Sequence, residues 1–210
     1  MCGIVGVVGN TNATDILIQG LEKLEYRGYD SAGIFVLGGA ENHLVKAVGR
    51  IAELSAKTAG VEGTTGIGHT RWATHGRPSD VNAHPHTDCH GDFAIVHNGI
   101  IENYLSLKED LAAKGHVFKS ETDTEVVVHL LEEVYSGDFI AAVRAVLERI
   151  EGSYALAFMS RRHPDLLICT KQDNPLIIGL GEGENFIASD IPAIISKTRR
   201  TYILGDGEVA

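Results

Sequence analysis

Cys2-Gly3-Ile4-Val5-Gly6-Val7-Val8 is a short apolar run rich in β-branched residues, the signature of a buried strand, and it opens on a thiol. Met1 followed by a small side chain is the usual context for removal of an initiator methionine. That removal leaves Cys2 carrying both a thiol and a free α-amino group. A thiol has a pKa of about 8.5 and an α-amine about 7.7–8.0, so near neutral pH the unprotonated amine can take the thiol proton, directly or through one water. A nucleophile that uses its own amine as base is an alternative to the serine–histidine pair. The competing reading of Cys2 is a small buried hydrophobe at the head of a strand.

Outward from this strand, helical and strand patterns are interspersed without a clear linker. Ile16, Leu17, Gly20, Leu21 and Leu24 recur at helical spacing after Asn12, a cap-like residue with Asp15 three positions on. Residues 32–37 and 44–48 read as strands joined through Gly38-Gly39, and 51–59 as a short helix. Residues 66–72 and 93–97 also have strand character, the first unusually polar for a core segment. Thr122 and Glu125 are spaced as a capping box ahead of Val126, Val127, Leu130, Leu131 and Val134. A second helix starts at Asp138 and carries Phe139, Ile140, Val143, Leu147 and Ile150. Short strands close together follow, at 154–159, 166–170, 176–179, 186–189 and 201–204. Adjacent strands joined by short turns favour antiparallel pairing, and the helices before them need a sheet to lie on, so the expected class is an α+β sandwich with helices outside.

Composition narrows the function classes. The 210 residues are 44% hydrophobic, enough for a packed core, and the net charge is −10 with no lysine or arginine run, which argues against a nucleic-acid partner. Three dispersed cysteines, Cys2, Cys89 and Cys169, are no disulfide framework and suit a reducing compartment. The opening run lacks a basic n-region and is broken by glycines, and no apolar run approaches the ~20 residues that span a bilayer. A cytoplasmic protein with no membrane partner is expected.

Three constellations bear chemistry. His69-Thr70-Arg71-Trp72-Ala73-Thr74-His75-Gly76 and Asn82-Ala83-His84-Pro85-His86 put an arginine fork, an indole, hydroxyls and imidazoles within one long polar segment. Arg71 suits a carboxylate, because its paired donors match two oxygens, or else forms a structural ion pair. Asn98-Gly99 is either a hairpin turn or, with a side-chain amide and a backbone N–H, a two-donor oxyanion hole. Asp123 is placed to stabilise a helix N-terminus or to pair with a substrate ammonium. His84, His86, Cys89 and His90 lie close enough to raise a zinc module. Structural zinc sites draw paired ligands from two separated places, however, and Pro85 denies these four a regular register, so neither metal nor cofactor is expected.

Together, Cys2 to Gly6, Glu25-Tyr26-Arg27-Gly28-Tyr29-Asp30-Ser31-Ala32-Gly33, His69 to Gly76, Asn82 to His86, His97 to Asn103 and Ser120 to Glu125 closely resemble the glutaminase domains of glutamine–fructose-6-phosphate aminotransferases, within the class II glutamine amidotransferases. The resemblance continues through Arg162-His163-Pro164, Pro175 to Gly179 and Asn185 to Asp190. It implies an N-terminal-nucleophile (Ntn) hydrolase with a four-layer αββα fold and mostly antiparallel sheets, a single glutaminase domain over residues 1–210. It further implies that Cys2 attacks the side-chain amide of L-glutamine through a γ-glutamyl thioester, that Asn98 and Gly99 hold the oxyanion, that Arg71 binds the α-carboxylate and that Asp123 binds the α-ammonium. Backbone around Thr74, His75 and Gly76 would add contacts, Trp72 would sit on a mobile loop closing over the substrate, and Arg27 and Gly28 would lie near the nucleophile.

Members of that family continue into sugar-isomerase domains that use the ammonia to make glucosamine 6-phosphate for hexosamine biosynthesis, as a homo-oligomer. Those domains have no counterpart before Gly207-Glu208-Val209-Ala210, so this chain is expected to hydrolyse glutamine without making the amino sugar. Two other readings are the glutaminase domain of a different class II enzyme and a non-catalytic glutamine-binding module.

Overall fold

A computed structural model of the chain describes residues 2–39, 41–72 and 76–210. In chain order its elements are β1 (Gly3–Val8), α1 (Ala13–Lys23), β2 (Ser31–Gly38), β3 (Glu41–Val48), α2 (Ile51–Lys57), β4 (Thr65–Arg71), β5 (His86–Thr87), β6 (Phe93–Ile101), α3 (Tyr104–Ala113), α4 (Glu125–Val134), α5 (Phe139–Leu147), β7 (Gly152–Ser160), β8 (Leu167–Gln172), β9 (Ile177–Leu180), β10 (Asn185–Ala188) and β11 (Thr201–Ile203). The strands form a seven-stranded sheet, ordered β11-β9-β10-β1-β4-β2-β3, and a four-stranded sheet, ordered β5-β6-β7-β8. Neighbouring strands pair antiparallel throughout.

Three layers of core follow from the period-two alternation of strand side chains. Val5 and Val7 of β1 turn to one side, where they meet Ile16, Leu17 and Leu21 of α1 and Ile51 and Leu54 of α2. Ile4 turns the other way, into the seam between the sheets, with Phe35, Ile67, Val96, Ala155 and Ala157. On the far side of the small sheet, Phe93 and Ile95 of β6 pack under Leu107, Val127, Leu130, Leu131 and Val143 from α3, α4 and α5. The layers are therefore helix, sheet, sheet and helix, the αββα α+β sandwich. No helix among the described residues is long and apolar enough to cross a membrane.

Local signals hold in most places. Asn12 caps α1, its side chain accepting from Thr14 N, and Asp138 caps α5 by accepting from Ala141 N. The capping box expected of Thr122 and Glu125 does not form. Helix α4 begins only at Glu125, whose carboxylate reaches back to the backbone N–H groups of Lys119 and Ser120, while the Thr122 hydroxyl pairs with His86. Asp123 thus precedes the helix, and it accepts from the N–H of Ile101 at 2.8 Å.

Asn98-Gly99 is not a hairpin turn. Strand β6 runs straight through it, pairing Asn98 with Ala155 and Gly99 with Tyr154. Gly99 sits at φ +128°, and a Cβ there would lie 2.0 Å from the carbonyl oxygen of Ser153. Only glycine permits both that dihedral and that approach.

Candidate active site

The same alternation builds the site. Cys2 shares the parity of Ile4, His69 and Arg71 that of Ile67, and Asn98 that of Val96, so all four side chains fall on the seam side of their strands. Because β1 and β4 run antiparallel with Gly3 opposite Thr70, Cys2 at the head of β1 comes up beside Arg71 and Trp72 at the end of β4. This also accounts for the polarity of residues 66–72: the strand is buried throughout, and its last residues furnish the wall of a cavity. That cavity, of about 370 Å³, is lined by Cys2, Arg71, Trp72, Asn98, Gly99 and Asp123 among others.

Cys2 is held on several sides. Its Sγ accepts from the backbone N–H of Trp72 at 3.2 Å, and its carbonyl accepts from Asn98 Nδ2 at 3.1 Å and from Arg27 Nε at 3.2 Å. Arg27 is anchored in turn by Asp190, 3.0 Å from Nη1. Gly28 passes so near the strand end that an added Cβ would lie 2.8 Å from the carbonyl carbon of Arg71. Burial pushes the Cys2 thiol up, against the lowering effects of the Trp72 N–H and the Arg71 cation. A thiol in that state needs a base to become a nucleophile.

The orientation of Asn98 is fixed by a histidine. His69 Nε2 lies 3.0 Å from both the carbonyl oxygen of His97 and Asn98 Oδ1. Facing two acceptors, Nε2 must carry the proton. The Asn98 oxygen is therefore turned to His69 and its amide nitrogen toward Cys2. His69 stacks on His84, centroids 4.2 Å apart, and His84 Nδ1 accepts from the N–H of His97. His97 Nδ1 pairs with the Thr124 hydroxyl at 2.9 Å. This imidazole cluster beneath Asn98 was not assigned a role from sequence, and its only sequence sign is the number of histidines between 69 and 97.

Of the other candidates, Arg71 is buried and its Nη2 donates to the Gly76 carbonyl at 2.9 Å. Trp72 is half-exposed, its ring edge-on to Tyr29 with centroids 5.5 Å apart. Thr74 and His75 lie outside the described residues. The four residues that suggested a zinc module do not gather: His84 and His86 are buried against each other below the cavity, while His90 points to solvent from beyond β5.

The histidine cluster has a consequence for acid stability. Burial lowers His69 to about 3 and holds His84, His86 and His97 below the usual imidazole range. Each is neutral when folded but binds a proton in the unfolded chain below about pH 6.5. A folded pKa below the unfolded one gives stability that is complete above about 6.5 and is lost as pH falls toward the folded value. The urea midpoint is therefore expected to decline from about pH 6.5 downward, ahead of carboxylate titration near 4. A midpoint that stays level from neutrality to about pH 5 would contradict this.

Comparison with known proteins places the chain in a family. The glutamine amidotransferase domain family matches residues 69–196. The chain is 62% identical over 212 residues to glutamine–fructose-6-phosphate aminotransferase [isomerizing] of Streptococcus pneumoniae, covering all of this chain and 35% of that protein. It is 55% identical to the enzyme of the same name from Thermus thermophilus, again over all of this chain and 35% of that protein. The chain thus spans about a third of the length of these relatives. Among solved structures, glutamine phosphoribosylpyrophosphate amidotransferase from B. subtilis superimposes with a TM-score of 0.86 at 29% identity, over 99% of this chain and 46% of that one. A matched family over most of the chain and a shared αββα architecture lead to one conclusion: this chain belongs to the glutamine amidotransferase domain family.

Proposed function

We propose that this chain is a single glutaminase domain that hydrolyses the side-chain amide of L-glutamine to glutamate and ammonia. The observation that carries the reading is the meeting of Cys2 Sγ, the Trp72 N–H and the oriented Asn98 amide at a cavity that also holds Arg71 and Asp123. Glutamine fits such a cavity because it presents two opposite charges at one end and an amide at the other. The Arg71 fork takes the α-carboxylate and Asp123 the α-ammonium, with Trp72, Thr74, His75 and Gly76 closing around that end.

In the reaction, the α-amine of Cys2 accepts the thiol proton and the thiolate attacks the amide carbon. The oxyanion that forms is held by Asn98 Nδ2 and the Gly99 N–H. The protonated amine returns its proton to the departing nitrogen, so ammonia leaves and a γ-glutamyl thioester remains. Water, activated by the same amine, then cleaves the thioester to glutamate. Arg27 positions the Cys2 backbone through its carbonyl, and Gly28 lets the chain pass close to the end of β4. Every step requires that Met1 be gone, since an acylated amine cannot take a proton.

We further propose that in longer proteins like the relatives above, the ammonia passes to fused sugar-isomerase domains that convert fructose 6-phosphate to glucosamine 6-phosphate. The test is to give this chain glutamine and fructose 6-phosphate. Glutamate release without amino-sugar formation is expected from molecules lacking Met1, and none from molecules that retain it, as sorted by intact mass. Glucosamine 6-phosphate made by this chain alone, or no glutamate from the trimmed chain, would overturn the reading.

A further inference from the structure

Away from the cavity, four side chains from three places in the fold converge. Cys89 lies in the turn between β5 and β6, His116 follows α3, and His129 and Glu132 stand three residues apart on α4. Cys89 Sγ is 3.5 Å from His129 Nδ1 and 3.8 Å from His116 Nδ1. The two Nδ1 atoms are 3.2 Å apart, and Glu132 Oε2 lies 3.2 Å from His116 Nδ1 and 3.6 Å from His129 Nδ1. A tetrahedron with metal–ligand bonds of about 2.0–2.3 Å has edges of about 3.3–3.8 Å, and these five separations, 3.2–3.8 Å, lie close to that range, with all four ligand atoms within 4.8 Å of one another.

The outer atoms supply an independent sign. His116 Nε2 faces Glu133 Oε2 at 3.3 Å, and His129 Nε2 faces Glu125 Oε1 at 3.6 Å. With Glu132 engaged by a cation, these outer carboxylates would hold the ring protons on Nε2 and turn both Nδ1 lone pairs inward, beside the sulfur and the Glu132 oxygen, as carboxylates behind metal-bound histidines do. The remaining Glu132 oxygen is oriented by His90, 3.4 Å away.

We propose that Cys89, His116, His129 and Glu132 form a structural zinc site. It reverses the expectation of no metal read from the sequence, and it keeps only Cys89 of the residues that first suggested zinc. Thiolate, two imidazoles and one carboxylate suit Zn²⁺, and four protein ligands leave no open position for substrate. On binding, the Cys89 sulfur gives up its proton to solvent as the Zn–S bond forms. The metal ties the β5–β6 turn and the segment after α3 to α4, and so braces the chain that leads into Asp123. The site does not depend on glutamine hydrolysis, and a Cys2→Ala chain is expected to bind zinc equally.

The whole chain, freed of metal with chelator and re-equilibrated with Zn²⁺, is expected to hold about one zinc per molecule after dialysis, and to melt at higher temperature than the chelated form. Co²⁺ in place of zinc should show a thiolate-to-cobalt charge-transfer band and the intense visible bands of tetrahedral cobalt. Cys89→Ser should remove the charge-transfer band, and His116→Gln should weaken zinc binding at least tenfold while Cys2 chemistry persists. Absence of stoichiometric zinc and of a charge-transfer band in the unmodified chain would overturn the site, whether or not the variants fold. Zinc retained undiminished in both folded variants would also overturn it.

Discussion

Cys2→Ala is expected to lower glutamine turnover by about four to six orders of magnitude while leaving glutamine binding within a few-fold of the parent, because removal of a covalent nucleophile leaves only what binding and an oxyanion cradle contribute. The contacts assigned to the two charged ends of glutamine, Arg71 and Asp123, belong to other elements and stay in place. Neither remaining thiol can substitute. Cys169 is buried in the seam, where burial pushes it up to about 12, and Cys89 lies in the separate cluster described above. Glutamate release and calorimetric titration with glutamine measure the two quantities separately. Loss of binding together with turnover, or turnover that survives, would show that Cys2 is not the nucleophile.

Asn98→Ala should be the next most damaging change. Its amide nitrogen is turned toward Cys2 because its oxygen is occupied by His69 Nε2 at 3.0 Å, so the donor is pre-aimed before substrate arrives. Removing one oxyanion donor costs about 10²–10³-fold in kcat, roughly 3–4 kcal/mol, with little change in KM because the charge is fully developed only in the transition state. Steady-state kinetics on glutamine decide the matter. A rise in KM with kcat preserved would assign Asn98 to substrate binding and remove it from the oxyanion role.

The layered architecture was legible because strong periodicities mark the first strand and helix and a helix in the middle of the chain. The apolar run at residues 2–8, the Ile16–Leu21 stripe and the Val126–Leu131 face each bury a large contiguous surface. Where a local pattern left alternatives open or failed, a non-local contact decided. Asn98-Gly99 has the composition of a turn, but the register with Ala155 and Tyr154 and the closeness of Ser153 carry the strand through it. Glu125 has the spacing of a capping box, but backbone donors at 119 and 120 claim its carboxylate.

The site was legible to a similar degree. Cys2, Arg71, Asn98 and Asp123 could be offered as candidates because each residue type has a short menu of chemical roles, and the family resemblance chose among them. That His69 would orient Asn98 could not be read, since the two meet only when the sheets stack. The Cys89, His116, His129 and Glu132 cluster was hidden for the same reason: only the last pair, three apart on one helix, are near in sequence.

The central claim is that a liberated Cys2 is the reactive thiol of a glutamine-shaped cavity, and covalent trapping tests it most directly. The chain is treated with 6-diazo-5-oxonorleucine, an electrophile built on the glutamine skeleton, and then digested and mapped by mass spectrometry. The account predicts a single adduct per chain, on the Cys2 sulfur of a peptide that begins at Cys2, blocked by excess glutamine and missing in Cys2→Ala. An adduct on Cys89 or Cys169, or one formed equally on chains that retain Met1, would contradict it.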